Sequence, residues 1–400
     1  MHEFKPDDIV KSCDAIEAGC RLHPEGMGCC YQLPRMSPII ISAEEINSGK
    51  VTHDLVVARR REIFEALNGL SEKDIGFCKK CTWVKEKKYK DVCFDYIGVA
   101  NDMLSSFNVA PSYKCNLKCQ YCYLKTTQDN PYLPAQYSII DLLKVFKEKD
   151  KIRFAKWIEY NGGEPTIDKD FEKNIKYLQE NKFGPVCIFS NSTNFSQLVY
   201  DYLKENKMYY ETSVDAGTAS SYAKIHGADC FDRVLYNIMR YCKSGTNQLI
   251  VKYILQKENM TQDDLLGFVF AMATIRPPHV YIAVETDFIN IDENATVSAE
   301  EINFGARLWY SLEKFAGITP HLQSDDIPTL PQYAQFSKGV REEYARLIKE
   351  NPITDEFNIN KNCCKPKKKL SLRKRLFSIS KENNHKVVRV AGIKVALKTK

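Results

Sequence analysis

From Phe107 to about Phe315 the chain alternates two hydrophobic patterns. Short runs rich in β-branched and aromatic residues predict strands at Phe107–Ala110, Trp157–Tyr160, Val186–Ser190, Tyr209–Val214, Leu249–Leu255 and Val280–Val284. Between them apolar residues recur at helical spacing, as with Ile139, Leu142, Leu143 and Phe146. That spacing predicts helices over Ile139–Lys149, Phe171–Glu180, Phe195–Asn206, Phe231–Lys243 and Leu265–Ile275. Thr261-Gln-Asp-Asp264 has the pattern of a capping box and marks the start of the last. Six strand–helix units in about 210 residues predict an α/β fold with a parallel sheet and right-handed crossovers. An open, partial (β/α)6 barrel fits, and an open doubly wound sheet is the alternative.

In either arrangement functional groups gather beyond the carboxyl ends of the strands. The unusual residues fall there. Cys115, Cys119 and Cys122 follow the first strand, and Gly162-Gly-Glu-Pro165 follows the second. Ser190-Asn-Ser-Thr193 ends the third, Ser213-Val-Asp215 the fourth, and Glu285 with Asp287 the sixth.

Composition narrows the setting. A chain of 400 residues, 44% hydrophobic and 27% charged, reads as globular, with a large domain and one or two smaller units. The start, MHEFKPDDIVK, mixes charge signs and does not read as a secretory signal. The longest apolar run, Leu265 to Ile275, is too short to span a bilayer. A cytoplasmic protein is therefore expected, in which the 15 cysteines serve as core residues, metal ligands or nucleophiles and not as disulfides. Cys187, Cys230 and Cys242 sit singly in predicted elements and read as small buried hydrophobes. Cys93 also reads as packing. The net charge of +6 hides an asymmetry: residues 365–400 carry 13 Lys or Arg against one Glu, so residues 1–364 sum to −6. An acidic body with a basic tail does not suggest nucleic acid as a partner.

Three cysteines within eight residues suit zinc or an iron–sulfur cluster. Zinc needs a fourth protein ligand, and no nearby His or Cys supplies one. A [4Fe–4S] cluster on three thiolates leaves one iron open to an external ligand, unlike the four-cysteine clusters of electron carriers. Cys115-x3-Cys119-x2-Cys122, with Tyr121 before the last cysteine, resembles the signature of the radical S-adenosylmethionine (radical SAM) superfamily. The resemblance spans roughly residues 105–315 and implies a partial, TIM-like barrel. It further implies that the open iron binds SAM, and that an electron from a flavodoxin- or ferredoxin-type donor cleaves it to a 5′-deoxyadenosyl radical. Gly162-Gly-Glu164-Pro matches the family segment that meets the methionine amino group of SAM. From the residues alone, Gly162 and Gly163 let backbone approach a ligand, and Glu164 can accept from an ammonium. Their plain alternative is a strand-to-helix turn. Ser190, Asn191, Ser213 and Asp215, with Tyr121, occupy places where the family contacts SAM, and helix N-capping is the alternative for those after strands.

The first hundred residues carry a second cysteine set. Cys20, Cys29 and Cys30 precede a helical stretch at Leu55–Leu70, and Cys78-x2-Cys81 follows it. This order resembles the SPASM/twitch auxiliary-cluster extension of radical SAM enzymes, although that extension normally follows the barrel. Cys20, Cys29 or Cys30, Cys78 and Cys81 are the candidate ligands of an auxiliary iron–sulfur cluster, with structural zinc as the alternative.

After Cys363-Cys364 the basic tail interleaves apolar residues, among them Leu376, Phe377, Val387, Val390 and Ile393. Such a segment suits an anionic membrane surface, placing the protein peripheral to the inner membrane, or an acidic partner. Phe377-Ser-Ile with His385-Lys-Val and Gly392-Ile-Lys394 resembles a terminal segment of enzymes of bacterial surface-polysaccharide synthesis. That implies a sugar or glycan substrate, with a peptide as the alternative. A third class is a metal-stabilised binding protein without catalysis. The expected organisation is a cysteine-rich metal domain at 1–98, the barrel at 99–320, a helical extension at 321–364 and the tail at 365–400.

Overall fold

The structure, a computed structural model, describes residues 4–30, 38–81, 83–95, 107–122, 124, 135–148, 158–285, 295–325 and 331–353, together with the backbone of 377–382, 385–390 and 393–398. Lys149, Trp157, Asp287, Cys363, Cys364, Leu376 and Gly392 lie outside the described residues, as do residues 354–376 as a whole.

The strands are β1 (Ile9–Ser12), β2 (Cys20–His23), β3 (Gly26–Gly28), β4 (Ile39–Ser42), β5 (Lys85–Lys88), β6 (Phe107–Val109), β7 (Ile158–Tyr160), β8 (Val186–Phe189), β9 (Met208–Ser213), β10 (Leu249–Leu255), β11 (His279–Val284) and β12 (His321–Leu322). The helices are α1 (Asp14–Ala18), α2 (Ala43–Asn47), α3 (His53–Leu67), α4 (Ile139–Glu148), α5 (Phe171–Glu180), α6 (Gln197–Lys204), α7 (Ala219–His226), α8 (Phe231–Cys242), α9 (Gln262–Ile275), α10 (Ala299–Ser311) and α11 (Pro331–Glu350).

One sheet of ten strands runs β4-β3-β2-β6-β7-β8-β9-β10-β11-β12. From β6 to β12 each strand pairs in parallel with the next in chain order. A doubly wound sheet would reverse that order at a switch point, so the winding is that of a partial barrel. All six expected strands and all five expected helices are present, with ends shifted by up to three residues. The periodic pattern did not single out α7, α10 or β12.

The first residues join the same sheet. β2 pairs in parallel with β6, Cys20 opposite Phe107 and Leu22 opposite Val109, and β3 and β4 add an antiparallel meander. The region expected to stand as a small metal domain thus contributes three strands to the barrel sheet, while β1 and β5 form a separate antiparallel pair. The buried Arg60 guanidinium on α3 donates at 2.6 Å to the carbonyls of Glu17 and of Gly19, fixing the turn into β2.

Alternation along the strands gives the sheet two different faces. Phe107, Val109, Ile158, Tyr160, Val186 and Ile188 point to one and are essentially inaccessible to solvent. Asn108, Glu159, Cys187, Glu211 and Lys252 point to the other. There Asn108 Nδ2 donates to Glu159 Oε2 at 3.1 Å, and Lys252 Nζ lies 2.5 Å from Glu211 Oε1. Burial, partly offset by Asn108, pushes the Glu159 carboxyl up to about 7.

Helix starts follow their caps. Ser298 and Glu301 make a reciprocal capping box for α10. At α9 only half of the expected box forms: Thr261 Oγ1 accepts from Asp264 N–H at 3.1 Å. Asp264 Oδ1 instead reaches across to accept the N–H groups of Gly217 (2.9 Å) and Thr218 (3.1 Å), tying the loop after β9 to α9. Among the described residues no helix is long and apolar enough to cross a membrane. The tail forms a three-stranded antiparallel meander, β13 (Phe377–Glu382), β14 (His385–Val390) and β15 (Ile393–Lys398).

Candidate active site

The chain leaves β6 through Ala110 and Pro111 and enters the loop that carries Cys115, Cys119 and Cys122. Two neighbours fasten this loop. On one side Gly163 N–H donates to Ser112 O (2.9 Å) and Glu164 N–H to Lys114 O (2.8 Å). On the other, Lys118 N–H donates to His226 O (2.9 Å) and Gln120 N–H to Ile225 O (2.8 Å). The three cysteines therefore stand between the turn after β7 and the end of α7.

Each thiol is half-buried. Cys115 Sγ accepts from Leu117 N–H at 3.4 Å and from Asn191 Nδ2 at 3.7 Å. Burial raises the Cys115 thiol, while these donors pull the other way. Cys119 Sγ lies 3.1 Å from His226 Nδ1. Cys122 packs beside Ala110, Tyr113 and Leu124.

The structure gives the two glycines a task that the sequence did not indicate. A Cβ on Gly162 would stand 2.4 Å from Ser112 O, and one on Gly163 would stand 2.0 Å from Lys114 O. The close approach they permit is to the backbone of the cysteine loop; Gly162 also has φ +115. Glu164 is buried, 2% exposed, and its carboxylate binds the chain itself. Oε1 accepts from Thr166 N–H (3.0 Å), Thr166 Oγ1 (2.5 Å) and Ser190 Oγ (2.9 Å), and Oε2 from Asn191 N–H (2.7 Å). Burial raises this carboxyl and its donors lower it.

Ser190 and Asn191 are thus partners of Glu164 and of the cysteine loop, where Asn191 Nδ2 also donates to Asn116 Oδ1 at 2.9 Å. Asp215 is fully buried in a left-handed backbone conformation, φ 51. It accepts Tyr121 OH at 2.5 Å and Ile254 N–H at 2.7 Å. Burial raises its carboxyl, against the pull of His226 and Tyr121. Tyr121 is in this way tied inward, its hydroxyl pushed well above the usual phenol range by burial and then by Asp215. Ser213 ends β9 half-buried, on the Lys252 face of the sheet, and Glu285 follows β11.

His226 belongs to this site and was not anticipated. It is 2% exposed, and burial holds its ring below the ordinary imidazole range although Asp215 pulls it up. The one available signal was Gly227 after a helix-compatible run, marking a helix end opposite the cysteines.

The second cysteine set is regrouped. Cys29, Cys30 and Cys78 act electrostatically on Cys13, and Cys30 and Cys81 act on Cys78, whose thiol burial lifts to about 12. Cys20 is buried in β2, and its charged neighbour is Arg60. Cys13 therefore joins the neighbourhood of Cys29, Cys30 and Cys78, and Cys20 precedes Arg21, which pairs with Gly28, the residue before Cys29. Among the described residues no three Cys, His, Asp or Glu side chains are already drawn together as a metal-holding set.

Three soft thiol donors on one loop, without a fourth protein ligand on it, fit an iron–sulfur cluster with an open iron better than zinc. Residues 109–269 match the family model described as the Radical SAM superfamily. Among curated relatives, a probable GTP 3′,8-cyclase of Saccharolobus islandicus (strain Y.N.15.51 / Yellowstone #2) is 22% identical over 156 residues, 39% of this chain and 49% of that protein. One of Sulfurisphaera tokodaii is 22% identical over 216 residues, 54% of this chain and 62% of that one. The chain thus spans about half the length of the curated relatives it matches. Among solved structures, Streptococcus suis SuiB bound to precursor peptide SuiA matches with TM-score 0.43 and 13% identity over 82% of this chain and 75% of that one. Native anSMEcpe with bound AdoMet and Kp18Cys peptide matches with TM-score 0.43 and 17% identity over 55% and 64%. Residues 109–269 of this chain are a radical SAM superfamily domain.

Proposed function

We propose that the protein is a radical SAM enzyme in which Cys115, Cys119 and Cys122 hold a [4Fe–4S] cluster. The observation that carries this is the three-thiol loop clamped between the Gly162–Pro165 turn and α7, inside the segment that matches the family. When bound, the cluster and SAM supply a one-electron cleavage to methionine and a 5′-deoxyadenosyl radical that takes a hydrogen atom from a substrate.

The chain's own residues orient this chemistry. Glu164 holds the loops after β7 and β8 in fixed relation, with Asn191 aimed at Cys115. Asp215 holds Tyr121 against the barrel wall, and Ser213 faces the side of the sheet that carries Glu159, Glu211 and Lys252. That polar face supports a substrate rich in hydroxyl or amino groups. With the likeness of the tail to polysaccharide enzymes, it favours a sugar or glycan as substrate. A peptide is the second reading. Cys13, with Cys29 or Cys30, Cys78 and Cys81, forms the candidate auxiliary site for iron–sulfur or zinc.

The test is anaerobic reconstitution with iron, sulfide, SAM and a strong reductant. 5′-Deoxyadenosine should form in the native protein and not in Cys119→Ala. Candidate glycans and small peptides are then compared by the rise they cause over the substrate-free rate. A fully loaded native protein that never yields 5′-deoxyadenosine would overturn the enzyme reading in favour of a metal-stabilised binding protein.

A further inference from the structure

Cys119 sits in a socket formed by the last turn of α7. The N–H groups on either side of it, Lys118 and Gln120, donate to the carbonyls of His226 and Ile225 at 2.9 and 2.8 Å. Helix ends leave such carbonyls without intrahelical partners, and here a metal-ligand loop takes them. Gly227 ends the helix at φ +69, and a Cβ there would lie 3.0 Å from Lys118 Cβ and 3.1 Å from Lys118 O. The loop thus lies against the helix end at both backbone and side-chain level.

The His226 ring completes the socket. Nε2 lies 3.1 Å from Val214 O, which can only accept, so Nε2 carries a proton. Nδ1 is then the acceptor, and it takes the Cys119 S–H at 3.1 Å. The Tyr222 ring covers the imidazole at 4.3 Å between centroids, Tyr121 meets it edge-on at 6.1 Å, and Asp215 Oδ2 is 3.6 Å from Nε2. A packed core histidine would be satisfied by the Val214 carbonyl alone. It would not also aim its second nitrogen at a cysteine whose two neighbours are bonded to the same helical turn.

We propose that His226 is a positioning residue for Cys119, by which α7 fixes one ligand of the cluster and supplies the polar ring that faces its sulfur. Polar contacts to ligand sulfurs are among the main determinants of an iron–sulfur potential. The proposal rests on the reading of Cys115, Cys119 and Cys122 as cluster ligands.

The test uses the full chain, loaded anaerobically, as native protein and as His226→Phe, His226→Gln and His226→Asn. Asparagine keeps a polar atom near the Nδ1 position, whereas glutamine keeps one near Nε2. At a potential that half-reduces the native cluster, the ratio of reduced to oxidised cluster by EPR should change about tenfold in the Phe and Gln variants. It should stay near native in the Asn variant. Loss of iron from Phe and Gln with retention by Asn supports the same role. A second measurement needs no variant: native protein grown on 15N-histidine should show weak histidine nitrogen coupling in the reduced cluster's pulsed EPR. Native ratios in fully loaded Phe and Gln variants, or no such coupling in the native chain, overturn the proposal. A native chain that holds no [4Fe–4S] cluster overturns the ligand reading instead, so the two failures are distinguishable.

Discussion

The carboxylate of Glu164, at the end of β7, accepts the backbone N–H of Asn191, after β8, at 2.7 Å. Its other oxygen takes three further donors, so one buried side chain joins two strand ends and orients Asn191 toward Cys115. In Glu164→Gln the amide must turn an N–H group toward Asn191 N–H or toward the Thr166 and Ser190 donors. The expected cost is about 2–3 kcal/mol. Measured without SAM, the melting temperature should fall by several degrees. An unchanged melting temperature with weakened SAM binding would confine Glu164 to ligand contact and remove its structural role.

Gly163 meets a backbone on the side where its Cβ would project, 2.0 Å from Lys114 O and 2.7 Å from Tyr113 C. No flexible side chain can yield there, so Gly163→Ala must push the turn off the cysteine loop. Overpacking of this kind costs about 3 kcal/mol or more. The variant should lose the Gly163–Ser112 and Glu164–Lys114 bonds and bind much less iron after reconstitution. Native iron content in a folded Gly163→Ala protein would refute the close approach.

The strands around this site were legible because β6 to β11 pair side by side in chain order and each shows an apolar helix-facing side. What surrounds the cysteines was less so. Gly162 and Gly163 can be read from the sequence as ligand-facing, because nothing in the letters says that Ser112 and Lys114 lie beneath them. His226 is about a hundred residues from Cys119, and a single buried histidine leaves no periodic trace. β2 has no alternation, since all of Cys20 to His23 is buried, and its partner β6 is far along the chain. Such long-range pairing is set by the completed sheet and not by local pattern.

Glu159 gives the barrel a pH signature. Its carboxyl titrates near 4.5 when unfolded and about 7 in the fold, chiefly through burial. Between these values the native state binds more protons than the unfolded state, so stability from this group falls as pH rises from 4.5 to 7 and then levels. The penalty above neutrality is on the order of 3 kcal/mol. Glu159→Gln keeps the oxygen that accepts from Asn108 Nδ2 and removes the titration. Urea midpoints in mildly acid and mildly alkaline buffer should converge in the variant, which should be the more stable protein in the alkaline one. An equal fall in midpoint for both proteins would show that Glu159 is not the group responsible.

The β1–β5 pair decides which cysteines share the second metal neighbourhood. Ser12 lies opposite Lys85, which puts Cys13 beside Val84, and Val84 N–H donates to Cys81 O at 3.2 Å. The same turn brings Cys78 within one hydrogen bond of Cys81, whose N–H donates to Cys78 O at 3.5 Å. Cys20 pairs with Phe107 in the barrel sheet, where its charged neighbour is Arg60. The expected outcome is that a metal joining these thiols takes Cys13 as a ligand in place of Cys20. To isolate that site, the three loop cysteines Cys115, Cys119 and Cys122 are first changed to Ala, and metal is measured in anaerobically purified protein. Cys20→Ala in that background should keep the remaining iron or zinc, with a cost in stability from the cavity left in β2. Cys13→Ala should lose most of it, since removing one thiolate leaves the metal short of the four ligands that a structural zinc or a closed cluster takes. About four irons would identify a cluster and about one zinc a structural ion. Equal metal in Cys13→Ala and its parent would return the assignment to the Cys29, Cys30, Cys78 and Cys81 thiols alone.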